Sequence, residues 1–222
     1  MKATAPAAVA LLLRSFTDGK SRLSGALPAP QREALVRTMA EAVRRAAGDL
    51  PLLVVTPDPA VRRWALDVGA KAVEDPGRGL DTAAARAREA TLRAGIDRLV
   101  LAHADLPLAD DLTWLVDGPT VTVVADRHGS GTNVLALPTA AGLRFGYGAG
   151  SCAHHLAEAR RLGLDAAVVT DPLLGWDVDE PDDLPLPSGT SLRALRAASA
   201  RERAARCATP GRARGDRGAS GR

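Results

Sequence analysis

Two glycine-rich loops in this chain are built for an anion. "DRHGSGTN" covers residues 126–133 and "GYGAGSC" covers 146–152, and the second opens directly onto the helical pattern "AHHLAEARRLG". Glycines let a backbone approach a ligand closely, and a helix start presents free N–H groups at the positive end of its dipole. Thr132, Asn133 and Ser151 add hydroxyl and amide donors beside Gly148. Carboxylates stand nearby in sequence. Asp105 ends the apolar run "LVLAHADLPL", and Asp177 and Asp179 sit two apart in "WDVDEPDDL". In an extended segment, residues two apart project to one side. A strand-end aspartate and such a pair are suited to share Mg²⁺, which takes oxygen ligands. The chemistry these groups imply is metal-assisted work on a phosphorylated substrate.

Positive charge has a place in the same scheme. In "LLLRSFTDGKSRL", residues 11–23, Lys20 and Arg22 follow the first apolar run, and an extended loop would aim both the same way. Lysine offers phosphate a compact point charge. The glycine spacing of a P-loop is absent. "EDPGRGLD", residues 74–81, is a further glycine loop, with Asp81 placed to cap a helix. His103, His128, His154 and His155 lack metal-ligand spacing and read as surface groups or as supports behind the site.

These groups need a scaffold, and the pattern supplies an α/β one. Strands are expected at 8–13, 52–56, 70–73, 98–102, 121–125, 134–137 and 166–170. Helices are expected at 30–47, 59–68, 82–94 and 152–162, with prolines in first turns and glycines past the ends. In the first helix Leu35, Val36, Met39 and Val43 form one apolar stripe. Alternation of strand and helix implies a mostly parallel sheet covered on both faces. Ligands of such sheets bind at the carboxyl ends of the strands.

Composition bounds the alternatives. The 222 residues suit one domain, here 1–187, followed by an Ala/Arg-rich tail at 188–222 that reads as largely disordered, although 191–206 has some helical character. Residues 201–222 hold seven Arg and two acids, a net of +5, while the whole chain is +3, so residues 1–200 carry 3 − 5 = −2. The basicity is the tail's, and aromatics are 3% of the chain, so nucleic acid is not the expected partner. No apolar run approaches the roughly 20 residues of a membrane span. Two distant cysteines suggest no disulfide framework, and a reducing cytoplasm is the expected location.

The ordered set "GKSRL", "DPGRGLD", "HADLPL", "DRHGSGTNVLALP", "GYGAGSCAHHLAEARRLGL" and "WDVDEPDDL" resembles the 2-phospho-L-lactate guanylyltransferase family of coenzyme F(420) biosynthesis, over roughly residues 9–184. The resemblance implies a Rossmann-like nucleotidyltransferase fold. It also implies transfer of GMP from GTP to a phosphorylated three-carbon acid, with release of pyrophosphate. By position, it assigns Asp105, Asp177 and Asp179 to Mg²⁺ and Lys20 and Arg22 to the GTP phosphates. Arg14, Gly79 and Asp81 would join the nucleotide site, and Thr132, Asn133, Gly148 and Ser151 the acceptor site. The chain departs from the family pattern in three places. "LLLR" puts Arg14 where the family has lysine, "GLD" puts Asp81 where it has asparagine, and "GAGSC" replaces "GPGSF". Two other readings stay open on sequence alone. One is a molybdopterin or sugar-nucleotide transferase, although the "LAGG"-like loop of those enzymes is missing. The other is a non-catalytic nucleotide-binding protein. The acceptor is left open among 2-phospho-L-lactate, phosphoenolpyruvate and 3-phospho-D-glycerate.

Overall fold

The computed structural model describes residues 6–118 and 120–207. Seven strands form one sheet: β1 (Ala7–Leu12), β2 (Leu52–Thr56), β3 (Lys71–Glu74), β4 (Arg98–His103), β5 (Val121–Ala125), β6 (Thr132–Pro138) and β7 (Ala166–Val169). Their order is β3-β2-β1-β4-β6-β5-β7. Strand β6 alone runs antiparallel, against both β4 and β5, while the other ladders are parallel. Every residue of β1 is buried, as a central parallel strand requires.

Helices α1 (Ala29–Ala46), α2 (Pro59–Asp67), α3 (Leu80–Arg93) and α4 (Ser151–Arg161) cover the sheet. Alternation along β1 divides the core. Val9 and Leu11 pack with Met39 and Val43 on one face, and Ala8, Ala10 and Leu12 pack with Ala84 and Ala87 on the other. Small alanines on α3 bring that helix close to the sheet, so its first turn reaches the strand ends. The strand–helix succession matches the sequence expectation, with boundaries within two residues.

The segment at 191–206, where some helical character was expected within the tail, belongs to a fifth helix, α5 (Gly189–Cys207). Its Ala/Arg composition hides the anchor. Ser199 is buried and donates to Asp171 Oδ2 at 2.6 Å, and Arg203 donates to Asp171 at 2.8 Å and to Asp110 at 2.8 Å. The stretch "TPGRARGDRGASGR" lies outside the described residues.

Candidate active site

The carboxyl ends of β1 and β4 bring the first group together. The loop after β1 does not run extended. Lys20 adopts a left-handed conformation, φ 60°, and a short 3₁₀ turn follows over Ser21–Gly25. A non-glycine residue held there is strained, and such strain recurs at functional sites. The turn separates Lys20 from Arg22. Lys20 Nζ lies 2.7 Å from Asp105 Oδ2 and 2.7 Å from Asp179 Oδ1, whereas Arg22 stays exposed and pairs with Glu180 at 3.2 Å. Burial disfavours the Lys20 ammonium, but the charges of Asp105 and Asp179 outweigh it and raise its pKa. Burial likewise opposes ionisation of Asp105, and the Lys20 charge reverses that, leaving its carboxyl below the usual range.

Asp177 and Asp179 come from an irregular loop with many ties. Asp171 Oδ1 accepts from Leu173 and Leu174 N–H at 2.8 and 3.0 Å. Gly175 N–H donates to Asp171 O at 2.7 Å, and a Cβ at Gly175 would sit 2.7 Å from that oxygen, so glycine is required. Asp183 Oδ2 accepts from the N–H groups of Asp179 and Glu180, and its other oxygen accepts from Arg127. Arg127 also lies over the Trp176 ring. Asp177 and Asp179 therefore face the same cavity as Asp105.

That cavity has a volume of about 550 Å³. Thr132, at the start of β6, and Ser151, the first residue of α4, face it from opposite loops and are both buried. The loops are joined by Cys152 N–H donating to Ser130 O at 3.1 Å. Gly150 takes the cap of α4 in a left-handed conformation, and the serine hydroxyl is left to the cavity. Gly148, φ 118°, lines the wall. Asn133 also lines it, although its Nδ2 donates to Leu174 O at 3.0 Å and so serves the carboxylate loop.

Two smaller recesses continue the trough. Lys20, His103 and Asp105 border the middle one, which also touches Leu12, Leu13 and Arg14. Arg14, Gly77, Gly79 and Asp75 border the far one, between β1, β2 and the start of α3. Gly79, φ 102°, caps α3 and lines the far recess. Asp81 does not cap the helix and does not point to the far recess. Its Oδ1 accepts from Tyr147 N–H at 2.7 Å, which clamps the glycine loop ahead of α4 onto α3. That pairing spans 66 positions, beyond the reach of local pattern.

The carboxylates fit a divalent cation. Asp105 Oδ1 is buried without a hydrogen-bond partner. Burial chiefly, and then the charges of Asp105 and Asp179, push the Asp177 carboxyl up. Among the described residues no group of three His, Cys, Asp or Glu forms a preformed cage. Mg²⁺ is commonly held by one or two carboxylates together with substrate phosphates.

Histidine was underestimated. His155 is fully buried behind Thr132, with Nδ1 3.0 Å from Thr132 Oγ1 and Nε2 3.3 Å from Gly146 N. His103 lies at the cavity wall with a buried, unpartnered Nε2. An adjacent pair on a helix, His154 and His155, faces two directions, and only the buried member touches the site.

The likeness to known proteins agrees with this geometry. A family model described as "Guanylyl transferase CofC like" matches residues 8–186. The phosphoenolpyruvate guanylyltransferase of Conexibacter woesei is 37% identical over 186 residues, covering 78% of this chain and 83% of that protein. The 2-phospho-L-lactate guanylyltransferase of Methanothermobacter thermautotrophicus is 34% identical over 179 residues, covering 76% and 78%. Among solved structures, a putative nucleotide-diphospho-sugar transferase from Desulfovibrio desulfuricans superposes with a TM-score of 0.63 at 15% identity, covering 90% of this chain and 98% of the other, a likeness of fold. No described helix is long and apolar enough to cross a membrane. With a matching model over most of its length and relatives above 30% identity, the chain belongs to the guanylyl transferase CofC-like family.

Proposed function

We propose that this protein transfers GMP from GTP to a phosphorylated three-carbon acid and releases pyrophosphate, a step in coenzyme F(420) biosynthesis, with Mg²⁺ as cofactor. The observation that carries the proposal is the continuous trough across the strand ends, with Lys20 and Asp105 at its centre and two donor-rich walls beyond. Relatives named for phosphoenolpyruvate stand at 32–37% identity and one named for 2-phospho-L-lactate at 34%, so the proposal is the class of acid. With GTP in the middle and far recesses, Arg14, Gly79 and Lys20 would meet the nucleotide. Thr132, Gly148 and Ser151 take the acid in the large cavity.

The acceptor's phosphate is already an anionic nucleophile near neutral pH. One of its oxygens forms a bond to the α-phosphorus of GTP while the bond from that phosphorus to the bridging oxygen breaks, and pyrophosphate leaves. No general base is needed, and catalysis consists of positioning and charge neutralisation. Lys20 places its ammonium at the junction, and Arg22 adds charge at the rim. Asp105, with Asp177 and Asp179 beside it, would hold Mg²⁺. When bound, that ion neutralises phosphate charge and orients the phosphate chain. Incubation with GTP, Mg²⁺ and each of the three candidate acids tests the reading. The expected result is pyrophosphate together with a product of the mass of GMP plus the acid less water. Absence of pyrophosphate with all three acids overturns it.

A further inference from the structure

The geometry points to His155 as a positioning residue that turns the Thr132 hydroxyl into a donor for an anionic oxygen of the acceptor. The inference rests on the acceptor reading of the large cavity and deepens it. It begins with Gly146. A backbone N–H can only donate, and that of Gly146 points at His155 Nε2 at 3.3 Å. Nε2 must therefore carry its lone pair. A neutral imidazole has one ring N–H, so the proton sits on Nδ1. Nδ1–H then donates to Thr132 Oγ1 at 3.0 Å. With an oxygen lone pair taken, the hydroxyl hydrogen of Thr132 is left for another acceptor. Among the described residues this hydroxyl has no second protein partner, and Thr132 lines the cavity. A carboxylate or phosphate oxygen of the substrate completes the chain from Gly146 through His155 and Thr132.

The surroundings hold this arrangement. His155 is completely buried, and its ring stands edge-on to Tyr147 with centroids 4.9 Å apart. Burial chiefly, with the neighbouring His154 and His103 against a small opposing effect of Asp81, lowers its pKa to about 4, so the ring is neutral at working pH. Gly146 must come close for the N–H to reach. A Cβ there would lie 2.5 Å from the His154 ring, so a side chain would require that ring or the loop to shift.

Two experiments on the full chain test the proposal. In the first, ¹⁵N-histidine NMR of the wild type at neutral pH, assigned with a His155→Gln spectrum, should show a protonated Nδ1 and a bare Nε2. A protonated Nε2 overturns the proposal, whatever the activity. The second compares His155→Asn, whose amide replaces Nδ1–H, with His155→Gln, whose amide reaches the Nε2 position. The acceptor KM should rise about ten- to a hundredfold in His155→Gln, the scale of one hydrogen bond to a charged group, and only a few-fold in His155→Asn. The GTP KM should not move in either. Thr132→Val should cost the same as His155→Gln, and the double variant little more. Equal losses for both substrates, or for both histidine variants, reduce His155 to a packing role and overturn the proposal. If the wild type turns over none of the three acids, the reading of the cavity fails separately, while the NMR result still decides the tautomer.

Discussion

Arg203 Nε lies 2.8 Å from Asp171 Oδ2, and this pair fastens the C-terminal helix to the loop that carries Asp177 and Asp179. The Asp171 side chain is inaccessible to solvent and Arg203 nearly so. Breaking such a pair from one side leaves a buried charge without its partner. Arg203→Met is therefore expected to lower stability by about 3 kcal/mol. It should also depress turnover, because Asp171 orders the segment leading to Asp177. Thermal melting and steady-state kinetics check both, and an unchanged melting temperature removes the anchor. Arg203→Lys should recover part of the loss, since lysine cannot reproduce the forked contact to Asp171 and Asp110. Removing residues 208–222 should change neither quantity, whereas removing residues 189–222 should change both.

The contrast between α5 and the rest of the fold indicates what was legible in the sequence. Strands β1, β2, β4 and β5 announce themselves because central, doubly covered strands must be continuously apolar, and β1 is. Helix α5 carries no such stripe; its hold is polar and comes from Asp171, which lies 32 positions from Arg203. The loops bearing Thr132, Gly148 and Ser151 were legible as glycine and hydroxyl clusters. The left-handed Lys20 was not, because nothing local favours that conformation in lysine. Asp81 was legible as a polar residue at a helix start, but its partner Tyr147 was not. The burial of His155 follows from α4 packing on the sheet, which an adjacent histidine pair does not disclose.

Asp105 is expected to be indispensable to turnover. Asp105→Asn keeps the shape and removes the charge facing Lys20 and the proposed cation. Losing an electrostatic group of this kind costs on the order of a hundredfold or more in kcat. The fold should persist, since Lys20 retains Asp179 at 2.7 Å. Near-normal kcat at saturating Mg²⁺ refutes the assignment. In the same series, Mg²⁺ should raise the melting temperature of the wild type and not that of Asp105→Asn.

Ser151→Ala separates acceptor binding from helix capping. The serine is the first residue of α4 and Gly150 is the cap, so the substitution should leave the melting temperature nearly unchanged. One hydrogen bond to an anion disappears, roughly 1.5–3 kcal/mol, which is about ten- to a hundredfold in acceptor KM. GTP affinity should hold. A rise in the GTP KM with an unmoved acceptor KM means that the two substrates occupy the trough in the opposite order.

Stability should fall between neutral pH and pH 4 in a way that traces to His155. Its pKa is about 4 in the folded chain against an ordinary 6.5. Between those values the unfolded chain binds a proton that the folded chain refuses, so folding stability rises with pH across the window. The contribution is complete above pH 6.5 and is lost as pH falls toward 4. At 1.36 kcal/mol per unit it amounts to about 3 kcal/mol, or about 6–12 °C in a domain of this size. Glu158 acts in a lower window. Its hydrogen bonds from Arg161 and from Arg144 N–H hold its carboxyl at about 2, against 4.5, so its contribution is lost only as pH drops below 4.5. Melting curves at pH 7 and pH 4.5 should therefore differ strongly in the wild type and weakly in His155→Gln, which cannot titrate there. Parallel slopes in the two proteins place the acid sensitivity elsewhere and contradict the buried neutral imidazole behind Thr132.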